Sequence, residues 1–465
     1  MTHPAEKTEN TFTTGPMGPI YARTALPIIF VMGMNGCLTV ADALFLGHYV
    51  GPAALAAVTL MFPAYMLIVA LSTLVGTGMS SRIARHLGAG QLAQAGADFA
   101  GAHGLALALG AVLMGLFALF GETVTSLAAG GNATLAEMGY TYLRITVGCA
   151  PLLFVLTVNS DALRNEGRAG LMALMSLVVS LANILFNYVL IAQAGLGVAG
   201  SALGTALAQV LALSLILGFR FLGEPPLKPA ALLQHSLLQG WGRLLALGAP
   251  QSLGFVGLAL SSGATMFALQ WVDTPAYAQT VSAYGVITRV MTFAYLPLLG
   301  LSFAMQTITG NVYGAGQPQR VRKSLHIALA VSLVYCLTMQ LGMTLAADRI
   351  GGWFVTDPPV IAEVARILPV IVALFCLSGP LMLIGMHFQA LGDASRAALL
   401  GLAKTYIFAI PLTFALAAHW GEGGIWWAGP MAEGFLLVLT IAVLWQWSAS
   451  GRRVGRVSAM PEPKP

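Results

Sequence analysis

Apolar runs of about twenty residues, separated by short polar breaks, follow one another along almost the whole chain. "LALALGAVLMGLFALF" (105–120) and "ALAVSLVYCLTMQLGMTLAA" (328–347) are typical. Runs of that length can cross a hydrocarbon core as helices. The pattern predicts twelve spans, near 25–47, 55–80, 98–121, 136–157, 170–193, 199–221, 244–270, 277–310, 325–346, 361–386, 397–418 and 424–448. The eighth is too long for one straight crossing, so one of its ends lies outside the hydrocarbon.

Composition agrees. The chain is 57% hydrophobic and 8% charged, where a soluble domain carries about a quarter charged residues. This is the composition of a multi-pass membrane protein. The net charge of +5 is not gathered into a nucleic-acid-like patch. Basic residues mark alternate connections: Lys7 and Arg23; Arg82 and Arg85; Arg164 and Arg168; Arg220, Lys228 and Arg243; Arg320, Arg322 and Lys323; Arg396; Arg452, Arg453 and Arg456. The other connections have almost none, with Arg349 and Arg366 breaking the pattern. The positive-inside rule then puts both termini in the cytoplasm, as an even span count requires.

Residues 1–24, polar and rich in Pro and Thr, read as a cytoplasmic tail and not as a signal peptide. Cys37, Cys149, Cys336 and Cys376 lie in apolar runs without metal-like spacing and read as small buried hydrophobes. Asn132 begins a sequon in an outer loop, a triplet common by chance.

The chain also resembles itself at a shift of roughly 225 residues. "LGAGQ" (87–91) recurs as "YGAGQ" (313–317), "RNEGRAG" (164–170) is matched by "ALGDASR" (390–396), "GLGVAGSALG" (195–204) by "GEGGIWWAGP" (421–430), and Pro27 by Pro250. The shift spans six helices, so the halves share one orientation and are related by an axis along the membrane normal. The organisation expected is an N-terminal six-helix bundle at 25–221, a Pro-containing cytoplasmic linker at 222–243, a C-terminal bundle at 244–449 and a tail at 450–465. Two such halves suit alternating access, with a site near the midplane.

Asp42 is the chemically telling residue. A mid-span carboxylate costs about 2.5–3.5 kcal/mol to insert, so it must face a partner or a water-filled cavity. A carboxyl that is neutralised and ionised in turn can exchange a proton for a cation. The plain alternative is an acid held by neighbouring hydroxyls. Asn35, nearly two turns before Asp42, shares its face, with Thr39 between them. Ser176, Ser180, Asn183 and Asn187 form a polar stripe on span five; Ser201, Thr205 and Gln209 form one on span six; Asn159 ends span four. Single hydroxyls of this kind are mostly interhelical glue, whereas Asn183 and Asn187 point to a site.

Twelve spans, the repeat and several long motifs together resemble the multidrug and toxic compound extrusion (MATE) family, and within it the DinF-like branch. The motifs are "DALFLGHYVGPAALAAVTLMFPAYMLIVALSTLVGTGMSSRIARHLGAG", "AYGVITRVMTFAYLPLLGLSFAMQTITGNVYGAG", "LRNEG…NILFNYVLI…GVAGSALGTALAQ" and "FQALGDASRAALLGLAKTYIFAIPL". The resemblance implies an antiporter, not an enzyme, exporting amphipathic or cationic compounds against a proton or sodium gradient. It places Asp42, Asn159, Asn183 and Thr205 in a cation-responsive cluster. Many relatives have aspartate in a pattern "NxxLDP" where this chain has Asn187 in "NILFNY". One acid fewer favours a proton over Na⁺, which would otherwise sit at Asp42. No other metal and no cofactor is expected.

The second half lacks a counterpart of Asp42, since Thr265 or Ala268 falls at that position. Glu433 in span twelve is its one mid-span acid and either pairs with a base such as Lys404 or binds cationic substrate. Arg144, Arg289 and Lys404 lie inside spans, where they snorkel or pair. Tyr65, Met66, Tyr284, Thr288, Met291 and Tyr295 could line a drug cavity, which twenty methionines would suit; ordinary packing is the other reading. Pro27 frees a carbonyl and permits a bend, so it is a candidate hinge.

A lipid-linked oligosaccharide flippase of the same superfamily is the rival, and would want a basic cavity. A membrane enzyme would want clustered acids for Mg²⁺ or a large catalytic loop, and the sequence has neither. The expected partners are small amphipathic or cationic molecules and the lipid of a bacterial inner membrane, with no nucleic acid, around a monomer.

Overall fold

A computed structural model describes residues 10–223, 225–272 and 276–457, with side chains to 448. Lys7, Glu224, Asp273 and residues 458–465 lie outside the described residues, as do the side chains of Arg452, Arg453 and Arg456. Every regular element described is helical. The order is α1 (Met17–Phe45), α2 (Pro52–Leu60), α3 (Phe62–Gly88), α4 (Leu92–Ala128), α5 (Ala133–Gly148), α6 (Ala150–Asn165), α7 (Ala169–Asn187), α8 (Gly197–Leu222), α9 (Ala231–Gln234), α10 (Trp241–Trp271), α11 (Tyr277–Gly314), α12 (Pro318–Leu345), α13 (Ala347–Ile350), α14 (Pro358–Ile371), α15 (Phe375–Leu391), α16 (Ala394–Leu402), α17 (Ile410–Trp420) and α18 (Glu422–Val457). π-Helical segments follow α1 (Leu46–Val50) and α7 (Tyr188–Gln193) and join α16 to α17 (Ala403–Ala409).

Ten helical stretches among the described residues are long and apolar enough to cross a membrane, and the bent pairs α5–α6 (45°) and α14–α15 (50°) bring the number to twelve if each pair is one span. The first bend falls at Cys149, where Pro151 cannot continue the hydrogen-bond ladder. The second falls at Val372–Leu374, where Gln340 satisfies both sides of the break: Nε2 donates to Ala373 O and Oε1 accepts from Cys376 N, each at 2.8 Å. The 38 residues of α11 extend about 57 Å, so its ends leave the hydrocarbon.

The boundaries of both tails differ from the sequence reading. α1 begins at Met17, so the tail ends before residue 24; Met17, Tyr21 and Thr24 are buried, and Tyr21 Oη donates to Ser324 O at 2.9 Å. Protein contacts, not lipid, hold those first turns. α18 likewise continues to Val457, past the predicted end at 449. The linker is docked along α4. Gly101 and Gly104 leave room for the carbonyls of Gln239 and Leu237, which would lie 2.1 and 2.0 Å from an added Cβ, and Trp241 Nε1 donates to Gly101 O at 3.0 Å. The cysteines are free, but only Cys336 is buried; Cys37 is exposed. Asn132 caps α5, accepting Leu135 N at 3.1 Å.

The repeat extends to turn geometry. After α3 and after α11 the chain ends in the same motif: Gly90 N to Leu87 O and Gln91 N to His86 O, then Gly316 N to Tyr313 O and Gln317 N to Val312 O. Gly90 and Gly316 both have φ of +70°, which suits only glycine well. Gly167 and Gly392 are paired in the same way at +83° and +88°.

The chain divides into two compact units that do not coincide with the halves. One comprises Met1–Ala259, Arg289–Ala330 and Met386–Ala394, the other Leu260–Thr288, Val331–Gly385 and Ser395–Pro465. In the first, α7 packs on α1 and α8, α3 on α4 and α6, and α5 on α4 and α8. Ile68, Val75, Met79, Phe99, Phe154 and Val158 form its core. Segments of α10 and α11 join this unit through glycine. Added Cβ atoms on Gly78 and Gly248 would lie 2.1 and 1.9 Å from Leu244 O and Leu74 O. In the second unit, α17 and α14 pack on α18, and α13 on α14.

Candidate functional site

Asp42 sits in the last turn of α1, half-buried, just before the chain widens into the π segment Leu46–Val50. Asn187, wholly buried, ends α7 just before the second π segment. The two π segments touch, and π turns of this kind recur at functional sites. Asn187 Nδ2 donates to Asp42 Oδ1 at 2.5 Å and, at 3.3 Å, to Asn183 Oδ1 one turn earlier. Asn183 Nδ2 donates in turn to Thr205 Oγ1 on α8 at 3.4 Å. The Asn183–Asn187 end of the stripe predicted on span five is thus a hydrogen-bonded chain leading to Asp42, and no hydrogen bond described joins Ser176 or Ser180 to it.

Gly204 makes the geometry possible. An added Cβ there would lie 2.1 Å from Asn187 Oδ1, so α8 offers no side chain where the amide must sit. Asn187 Oδ1 is buried and accepts no hydrogen bond. Tyr65 on α3 and Tyr142 on α5 lie close enough to feel the charge of Asp42. Among the described residues Asp42 has no ion pair.

The other predicted residues divide. Asn159 is not in this cluster. It is buried, with Nδ2 donating to His103 Nε2 and to Val155 O at 2.9 Å, and its own carbonyl accepts Arg220 at 3.2 Å. Its helix, α6, packs beside α4, and so presents the amide to His103 on α4. Asn35 is exposed and no hydrogen bond joins it to Asp42; its carbonyl accepts Thr39 Oγ1 at 3.1 Å. Tyr65, Met66, Met291 and Tyr295 belong to the first unit and Tyr284 and Thr288 to the second, all half-buried. α1 runs through Pro27 as one helix.

Sequence reasoning missed several buried polar groups in the first unit. Arg220 pairs with Glu166 at 3.0 Å with both side chains inaccessible. Arg164 pairs with Asp161 at 3.0 Å and donates to Ser80 at 3.0 Å. Gln306 donates to Thr77 O and to Gln389 Oε1, each at 3.3 Å. The polar run "QTITGN" (306–311) at the end of span eight was the available signal. In the second unit Glu433 pairs with Lys404, the first of the two readings of that acid.

The MatE family matches the chain twice, at 27–189 and 253–415, equal stretches 226 residues apart. A protein described as an FAD transporter from Shewanella oneidensis is 27% identical over 86% of this chain and 88% of its own. The multidrug export protein MepA of Staphylococcus aureus is 22% identical over 93% and 95%. A solved structure, the outward-facing conformation of a multidrug resistance MATE family transporter, has the same fold, with a TM-score of 0.83 over 97% of this chain and 99% of that one at 21% identity.

Proposed function

The chain belongs to the MatE family of multidrug efflux transporters, and on that premise we propose that it is a proton-coupled antiporter exporting amphipathic or cationic small molecules, with Asp42 as the coupling carboxylate. One observation carries this reading: an intramembrane carboxylate hydrogen-bonded by Asn187 and, among the described residues, engaged by no ion pair. Such a group is open to a proton or to a cation, but not to both at once.

In the proposed cycle, ionised Asp42 retains a cationic amphiphile taken from the cytoplasm. After the switch outward a proton neutralises it, the compound leaves, and the neutral bundle returns. A proton contributes about 1.4 kcal/mol per pH unit of gradient and about 2.3 kcal/mol per 100 mV of potential. Asn187, Asn183 and Thr205 are neutral, so the cluster holds one exchangeable charge, which favours a proton over Na⁺. Tyr65 supplies an aromatic face beside the carboxylate. The chain acts as a monomer in a bacterial inner membrane with both termini cytoplasmic, as the basic connections support.

The flippase alternative finds less support, because Arg144 and Arg289, two of the three bases inside spans, are exposed and so do not line a basic cavity. The test is ethidium efflux from proteoliposomes under a pH gradient alone and a Na⁺ gradient alone, for wild type and Asp42→Asn. Efflux driven by the pH gradient and lost in the variant is the expected result. Efflux undiminished in Asp42→Asn overturns the assignment, and efflux under Na⁺ only replaces the coupling ion.

A further inference from the structure

Within the second unit, Glu433 on α18 is buried, and its Oε1 accepts both Lys404 Nζ and Ser378 Oγ. Its Oε2 is buried too and has no hydrogen-bond partner. The two charged side chains differ in access: Lys404 is 31% exposed and Glu433 6%. Ammonium groups inside spans almost always face the bundle interior or a water-filled cavity, and on that ground we assign the exposed part of Lys404 to such a cavity. Lys404 is therefore the reachable member, and the carboxylate lies behind it.

The backbone around the pair departs from regular α-helix. Lys404 stands on the π segment Ala403–Ala409, which packs on α17 and α18. Ser378 follows the bend between α14 and α15, which Gln340 holds. Spans eleven and twelve are, by the repeat, the equivalents of spans five and six, which carry Asn183, Asn187 and Thr205. Both halves thus carry polar side chains on these two helices near a π segment, although the acid of the first half, Asp42, stands on span one.

We propose that the Lys404–Glu433 pair is an anion-exchange site, at which a phosphate or carboxylate group of an amphiphilic substrate takes Lys404 from Glu433 while Glu433 takes a proton from water. Charge balances: a neutral ion pair, a singly charged anionic group and one proton become a neutral acid and a new ion pair, with Lys404 an ammonium throughout; a phosphate dianion keeps its second negative charge in the new pair. The physical reason is that a buried carboxylate stripped of its cation is strongly unfavourable and is relieved by neutralisation. Among the described residues, Cys336 on α12 lies near enough to feel both charges of the pair, with Cys376 on α15 near Cys336, and Tyr406 stands two residues after Lys404 in the same π segment. On the other helices packed against α18, Arg366 is bound by Glu363 and Glu422, eleven residues and about 16 Å before Glu433, and His419 is exposed and bonded to Ala415 O. None of these substitutes for Lys404.

This rests on the small-molecule transport reading but not on Asp42 or on any gradient. The test is calorimetric titration of the purified protein with riboflavin and with riboflavin 5′-phosphate, which share a ring system and differ by the phosphate. Two buffers of different ionisation enthalpy report protons, at about pH 8, where a phosphate monoester is already dianionic. The phosphate is expected to bind at least about tenfold more tightly and to take up a proton. Lys404→Ala loses the preference, Lys404→Arg keeps most of it, and Glu433→Gln keeps it without proton uptake. The double variant Lys404→Ala/Glu433→Gln removes both charges together and controls for folding. Equal affinity for the two flavins, no binding of the phosphate, no proton uptake by wild type, or a preference that survives Lys404→Ala would overturn the proposal. Failure of ethidium efflux would sink the antiport reading and leave this titration standing.

Discussion

Asn187 on α7 donates a 2.5 Å hydrogen bond to Asp42 on α1, 145 residues away in the chain. That contact joins the one acid in span one to the polar face of span five, and it leaves the amide oxygen of Asn187 buried and unbonded above Gly204. The site is therefore held by helix packing, with a single donor among the described residues orienting the carboxylate.

Removing that donor should weaken coupling without removing the acid. A hydrogen bond to a charged group contributes about 1.5–3 kcal/mol, a tenfold effect or more on an equilibrium. Asn187→Ala is expected to lower pH-driven ethidium efflux about tenfold or more, while Asn187→Asp, by adding a second acid, is expected to introduce a response to Na⁺. Efflux in proteoliposomes under each gradient checks both.

Gly204→Ala should reproduce the loss seen in Asn187→Ala, although it deletes no polar group. Its Cβ would occupy the place of Asn187 Oδ1, so the amide must leave Asp42. Measured efflux equal to wild type would show that α8 yields instead.

Gly88 and Gly314 are repeat-related and make reciprocal contacts. Added Cβ atoms would lie 1.9 Å from Asn311 O and 2.0 Å from Arg85 O. Overpacking of this kind costs about 1–3 kcal/mol. Gly314→Ala is expected to lower the melting temperature in detergent and to raise thiol labelling of a cysteine placed at Ser81, whose hydroxyl now donates to Gln389 O at 2.5 Å.

Arg220 and Glu166 form an inaccessible ion pair. Arg220→Met leaves the carboxylate buried alone, at a cost of about 3–5 kcal/mol, and should sharply reduce the folded fraction recovered from membranes. Glu166→Gln/Arg220→Met should recover part of it. Size-exclusion profiles of the three proteins decide.

Residues 10–15 strap the first unit. Phe12 is 3% exposed, Asn10 Nδ2 donates to Asn311 Oδ1 at 2.7 Å, and Arg320 donates to the carbonyls of Phe12, Thr14 and Gly15. Arg320→Ala should speed trypsin cleavage at Arg23 while leaving the spans intact. An unchanged cleavage rate would show that the strap holds without Arg320.

The sequence by itself determined the spans, their number, the repeat and the identity of the lone acid in span one. Each of these follows from local chemistry: twenty apolar residues cannot be satisfied in lipid except as a helix, and a carboxylate among them demands a reason. It also placed Asn183 and Asn187 on one face, because spacings of three and four put side chains on the same side of a helix, and the two side chains are hydrogen-bonded to each other. Only the tertiary structure decided which faces meet. Asn159 has the right residue type at the right end of a span, yet α6 packs beside α4 and presents it to His103. Glu433 had two equal readings until α18 met the π segment carrying Lys404. Gly204 was unremarkable in sequence, because a missing Cβ acquires meaning only once Asn187 from another helix occupies the space.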